Sequence, residues 1–111
     1  MKIKEVLTVY IGEVDIQEWT QGVGKDILMP QMFKSVKEMI STGRGKIQFA
    51  RVEASIRKKK QAFDFFVEYD GLWDTLEKLM EWALEEEKYE MCAEIRELEK
   101  ELDKDNEFWR Y

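Results

Sequence analysis

Three carboxylates, Asp64, Glu68 and Asp70, recur at even spacing along one stretch of the sequence. In an extended strand, even spacing places side chains on one face, where hard oxygen ligands can gather around a divalent cation. A solvated outer strand face calls for the same residues, and no nuclease-like Glu-x-Lys follows them. Just upstream lies a run of four cations, Arg57, Lys58, Lys59 and Lys60, with Arg44, Lys46 and Arg51 before it and Phe63, Phe65 and Phe66 after it. Cations beside aromatics suit phosphate contacts and base stacking. The same run also serves as a solvated turn that guards strand edges against unwanted pairing.

Covalent chemistry finds little support. The chain has no His, so Cys92, its single cysteine, has no imidazole to activate it, and a usual zinc site is missing. One cysteine also rules out an intrachain disulfide. Ser35, Ser41 and Ser55 have no recognisable base, and Gln21-Gly-Val-Gly-Lys25 lacks the glycine spacing of a phosphate loop. The residues imply a protein that is not an enzyme and holds no cofactor or metal.

The 111 residues suit one domain with its own core, over 1–111. Hydrophobic residues at 44% suit a packed globule, and 38% charged residues imply long solvated helix faces. Charge is asymmetric. Residues 1–70 carry 12 Lys/Arg against 10 Asp/Glu, net +2, whereas residues 71–111 carry 6 against 14, net -8. An acidic surface repels nucleic-acid backbone and anionic lipid and favours basic protein surfaces, although Glu is also simply a good helix former. Met1–Asp15 has a charged start without a sustained apolar run, so it does not read as a signal peptide. No run approaches the roughly 18 apolar residues that span a bilayer. These features suggest a soluble, cytoplasmic chain with no membrane partner.

The elements that position these residues follow from periodicity. Leu7, Val9 and Ile11 alternate with Thr8 and Tyr10 within a strand pattern over Ile3–Val14. Asp15 offers an N-cap to a short helical turn holding Trp19, which Gly22 and Gly24 would end. Pro30 suits a first helical turn, Phe33, Val36 and Ile40 share one face, and Gly43 suits a C-cap, so a helix is predicted over Pro30–Thr42. Lys46–Ile56 alternates with Ala50, Val52, Ala54 and Ile56 on one side, and Gln61–Asp70 with Phe63, Phe65, Val67 and Tyr69. The connection lacks Asn-Gly or Asp-Gly, so a turn longer than two residues is expected. The fold class predicted is α+β: a three-stranded antiparallel sheet with one covering helix (β-α-β-β, residues 1–70), then an antiparallel helical hairpin (72–105) and an aromatic tail (106–111).

That hairpin carries the strongest pattern. Trp73, Leu76, Met80 and Ala83 form one narrow seam, and Met91, Ile95, Leu98 and Leu102 another. Asp74, with Glu77 three residues on, suits a capping box. Leu79, Trp82 and Leu84 fall outside the seam and need cover from the sheet, a second hairpin or another protein. The run Leu76…Met80-x-x-Ala83…Tyr89-Glu90-x-Cys92-Ala93-x-Ile95-Arg96-Glu97…Leu102 resembles a UVR motif, the short helical hairpin named for the UvrB and UvrC excision-repair proteins. Tyr89, Glu90, Ala93, Ile95 and Arg96 match its pattern. Cys92 stands where Ala is usual, Glu97 where Asp is usual, and Glu99 where an aliphatic residue is usual. The resemblance covers about 30 residues and does not extend to 1–70.

The resemblance implies a protein-interaction element that pairs with a like hairpin, with Arg96 bound to acids across the joint. Leu76, Met80, Ala83, Tyr89, Cys92, Ile95, Arg96, Leu102 and the tail residue Trp109 would carry that contact. The alternative is a hairpin that packs only on its own sheet, with Arg96 paired to Glu90 or another nearby acid. The function expected is therefore a small interaction module, an adaptor or inhibitor of a size that viruses encode, binding a protein partner or itself as a homo-oligomer. Two other readings stay open: nucleic-acid binding through Arg57, Lys58, Lys59 and Lys60, and an acidic decoy that mimics DNA.

Overall fold

A computed structural model describes residues 6–13 and 15–109, and their side chains through residue 103. The elements are β1 (Leu7–Gly12), α1 (Ile16–Gln21), α2 (Val23–Thr42), β2 (Lys46–Ile56), β3 (Lys59–Glu68), a 3-10 turn (Tyr69–Gly71), α3 (Leu72–Glu85) and α4 (Tyr89–Trp109). The α+β class and the C-terminal helix pair agree with the sequence reading.

The sheet is mixed rather than antiparallel, with strand order β1-β2-β3. β2 and β3 form the expected antiparallel hairpin, but β1 pairs with β2 in parallel, Leu7 opposite Ala50 and Val9 opposite Val52. The reason lies in the connection. The 20 residues of α2 span about 30 Å and carry the chain back to the end of the sheet where β1 began, so β2 must run the same way.

α2 also begins earlier than predicted, leaving Pro30 at an interior position. An interior proline removes one helical hydrogen bond and costs about 3 kcal/mol in isolation. Tertiary contacts hold the turn before it. Leu28 and Phe33 are buried on either side, the Trp82 indole Nε1–H donates to Asp26 Oδ1 at 3.0 Å, and Lys25 lies 4.0 Å from Glu85. Asp15 caps α1 as expected, its carboxylate accepting from the backbone of Gln17 at 2.9 Å. Gly22 ends α1, but Gly24 lies within α2, where a Cβ would fall 2.4 Å from the Trp19 ring. Gly24 permits a close helix approach instead of stopping a helix.

Helices cover one sheet face. Val36 and Met39 of α2, Ala50 and Val52 of β2, Val67 of β3, Leu72, Leu76 and Leu79 of α3, and Ile95 of α4 share a single apolar cluster. A register shift between Gln48 and Ala50 turns the consecutive residues Phe49 and Ala50 both inward, which simple alternation did not predict. Phe49 meets Phe65 at 6.1 Å between ring centroids.

The β2–β3 connection is shorter than expected. Ile56 pairs with Lys59 across a two-residue turn, and Arg57 and Lys58 both have positive φ, 52° and 66°. Two left-handed non-glycine residues cost about 1–2 kcal/mol each. The double substitution Arg57→Asn/Lys58→Gly fits this turn type and is expected to stabilise the chain by about 1–2 kcal/mol, raising its urea midpoint. An unchanged or lowered midpoint would contradict the turn geometry.

Candidate functional site

The hairpin is built by a tight corner. α3 starts at Leu72 with Gly71 before it, so Asp74 lies in the first turn and does not cap it. At the other end Glu87 is left-handed (φ 57°), Glu87 N–H donates to Leu84 O at 3.2 Å, and Lys88 N–H donates to Ala83 O at 2.8 Å. This paired 5→2 and 6→1 bonding is a Schellman motif, and it turns the chain straight into α4.

Most of the seam faces the protein's own core. Leu76, Ala83, Cys92, Ile95 and Leu102 are buried in the cluster shared with α2 and the sheet, and Met80 packs partly against it. Leu79 and Trp82, which needed cover, receive it from the same body, whereas Trp73 of the predicted seam is exposed. Apolar residues occupy a broad arc of α3, opposite Asp74, Glu77, Lys78, Glu81 and Glu85, and the sheet and α2 bury the part of it through Leu72, Leu76, Leu79 and Ala83. Arg96 is exposed and forms no ion pair among the described residues. Trp109 belongs to α4, but its side chain lies outside the described residues, as do the other side chains of the aromatic tail.

Turning the helix this way leaves a second stripe outside. Trp73 is 44% exposed, Leu84 50% and Tyr89, at the start of α4, 65%. Trp73, Met80, Asp74, Glu77, Glu81 and Glu99 line a shallow groove of about 420 Å³ along the outer side of the helix pair. Its four carboxylates make no ion pair among the described residues, although acids elsewhere on the pair do: Glu94 with Lys37 at 3.4 Å, Glu85 with Lys25 and Glu97 with Lys100 at 3.3 Å. Sequence periodicity pointed to Trp73 and Met80 but assigned them inward. The signal that locates the groove is their coincidence with unpaired acids at i+1, i+4 and i+8 from Trp73.

The basic run is divided by the fold. Arg57 and Lys58 form the turn and share a cleft with Glu13 and Asp15. Lys59 and Lys60 enter β3 and point to opposite faces, Lys60 Nζ lying 5.7 Å over the Tyr10 ring. Phe63 and Phe65 turn toward the helices and Phe66 alone turns outward, under Lys46 at 4.3 Å. The cation–aromatic pairs, Lys60 with Tyr10 and Lys46 with Phe66, thus lie outside the Arg57-Lys58 turn itself.

The carboxylate row is neutralised locally. Asp64 lies 3.8 Å from Arg51 and accepts from Gln48 Nε2 at 2.9 Å, and Glu68 lies 3.8 Å from Lys46. Among the described residues no three Asp, Glu, Cys or His side chains are placed to hold a metal. Ser41 donates to Glu38 O at 3.0 Å, and the buried Ser35 has no hydrogen bond to a base among the described residues. No helix there is long and apolar enough to cross a membrane. The chain matches no protein-family model, no curated protein and no solved structure.

Proposed function

We propose that this chain is a non-enzymatic protein-interaction module whose C-terminal helix pair grips a basic, amphipathic segment of another protein. The observation that carries this reading is the outer groove, in which Trp73 and Met80 are framed by Asp74, Glu77, Glu81 and Glu99 without internal cations. An apolar floor rimmed by acids complements a helix with an apolar stripe flanked by Lys or Arg. Glu99, the departure from the UVR-like pattern, adds charge to this rim where an aliphatic residue would add apolar floor. The adaptor or inhibitor role then depends on which basic segment is captured. Nucleic acid is disfavoured as partner, because the acidic face repels phosphate and the basic run is split.

A labelled amphipathic Lys/Leu helical peptide tests this by fluorescence anisotropy on the full chain. Trp73→Ala is expected to weaken binding by at least about tenfold, as loss of an aromatic anchor does, and Glu77→Lys/Glu81→Lys by a similar factor. A peptide of equal charge with its Leu residues scattered should bind at least about tenfold more weakly than the amphipathic one. Equal affinity for both peptides, or no effect of Trp73→Ala, would exclude the groove.

A further inference from the structure

We infer that the free edge of β3 pairs, antiparallel, with β3 of a second copy of this chain, joining two three-stranded sheets into one of six. This goes beyond the groove and does not depend on it. β3 is ten residues long and sits at the edge of the sheet order β1-β2-β3. Its odd-numbered residues direct their main-chain groups toward β2: Lys59 pairs with Ile56 beside the two-residue turn, and Tyr69 N–H, in the same phase, donates to Gly45 O at 2.9 Å. Lys60, Ala62, Asp64, Phe66 and Glu68 therefore direct theirs outward. Among the described residues no strand pairs with that edge, and all five are exposed.

The charge pattern selects the occupant. β3 begins Lys59-Lys60 and ends at Glu68, with Asp64 between, so an antiparallel copy brings each basic end against an acidic end. A parallel neighbour would set like charges side by side. With Phe63 facing Phe63 across a twofold axis, Lys60 lies opposite Phe66 and diagonal to both Asp64 and Glu68 of the second copy. The next register along, with Asp64 facing Asp64, sets two carboxylates together but places Lys60 directly opposite Glu68 at both ends.

Apolar surface points the same way. Phe63 and Phe65 face the helix layer yet remain only half-buried, and Phe66 on the other face is 44% exposed. A long edge strand with three incompletely covered aromatics and no proline is a ready template for pairing. Cations near one end deter most strands, but the acidic end of an identical strand neutralises them.

Sedimentation equilibrium on the full chain reads the result. The native chain is expected to sediment at twice its 13.4 kDa, and Ala62→Pro, whose lost N–H has no partner in β2, should sediment at 13.4 kDa with unchanged circular dichroism. Lys60→Glu and Glu68→Lys alone should each weaken the dimer by about tenfold or more, and mixing them should restore a one-to-one dimer. That exchange decides the matter even where Ala62→Pro disturbs folding. A native chain that stays monomeric at millimolar concentration, or mixed variants that fail to associate, would overturn the pairing. So would a dimer lost in Trp73→Ala but kept in a folded Ala62→Pro, which would move the contact to the helix pair.

Discussion

Leu79→Ala is expected to destabilise the isolated chain by about 3–4 kcal/mol, seen as a large fall in its urea midpoint. Leu79 is fully buried and belongs to the cluster that joins α3 to α2 and the sheet. Truncating it removes the transfer free energy of the lost methyl groups and leaves a cavity that the surrounding strands and helices fill only in part. Against a typical domain stability of about 5–15 kcal/mol, that loss is a large fraction. Leu84 supplies the control. It occupies the same helix but is half-exposed, so Leu84→Ala should cost no more than about 1 kcal/mol. If the two substitutions were equally mild, the apolar side of α3 would be covered by a partner and not by its own body. The comparison needs no knowledge of that partner.

The second large effect is expected from removing residues 72–111. Among the described residues the helix pair supplies 8 of the 18 buried hydrophobic side chains, from Leu72 to Leu102. The remaining segment of about 70 residues would expose the inner faces of β2, β3 and α2 along their length, at a size where one core is already marginal. Residues 1–71 alone should therefore show no cooperative thermal transition and poorly dispersed amide resonances, whereas the full chain should show a cooperative transition and dispersed resonances. A fragment that melted cooperatively would mean that the hairpin is an appendage. The deletion is consequently a poor way to map binding, because it removes half the core with the groove. Exposed positions such as Trp73 and Glu77 separate the two effects.

The structure has two helices where the resemblance implies a helical hairpin. Ile95, Cys92 and Leu102 recur at spacings that only one face of α4 satisfies, and that face is the buried one. α3 was less legible because Leu72, Trp73, Leu76, Leu79, Met80, Trp82, Ala83 and Leu84 form an apolar arc wider than one seam, opposite Asp74, Glu77, Lys78, Glu81 and Glu85. Periodicity marks that arc but not which part of it is buried. The body decides, and it takes Leu79 and Trp82 inward while leaving Trp73 and Leu84 outside. The candidate groove followed from that rotation, although Trp73, Asp74, Glu77, Met80 and Glu99 were already named as part of the hairpin.

Three further differences share a cause. Alternation in β1 and β2 reports which residues face the core but not which way a strand runs, so the parallel pairing depended on the length of the helix between them. Pro30 lies inside α2 because contacts from Trp82 and Glu85, more than 50 residues away, hold the turn before it. The Arg57-Lys58 turn carries none of the usual glycine or asparagine, and the long pairing of β2 with β3 holds it closed at a local cost.

By itself the sequence determined the α+β class, the helix pair, most of the core and the acidic character of the C-terminal part. Those properties depend on side-chain type and near-neighbour spacing, which a chain carries with it into any fold. Tertiary structure alone decided strand direction, the bulge at Phe49, the face of α3 that is buried, and the unpaired edge of β3. Each of these is a choice between local arrangements of similar energy, and contacts between residues distant in sequence make the choice.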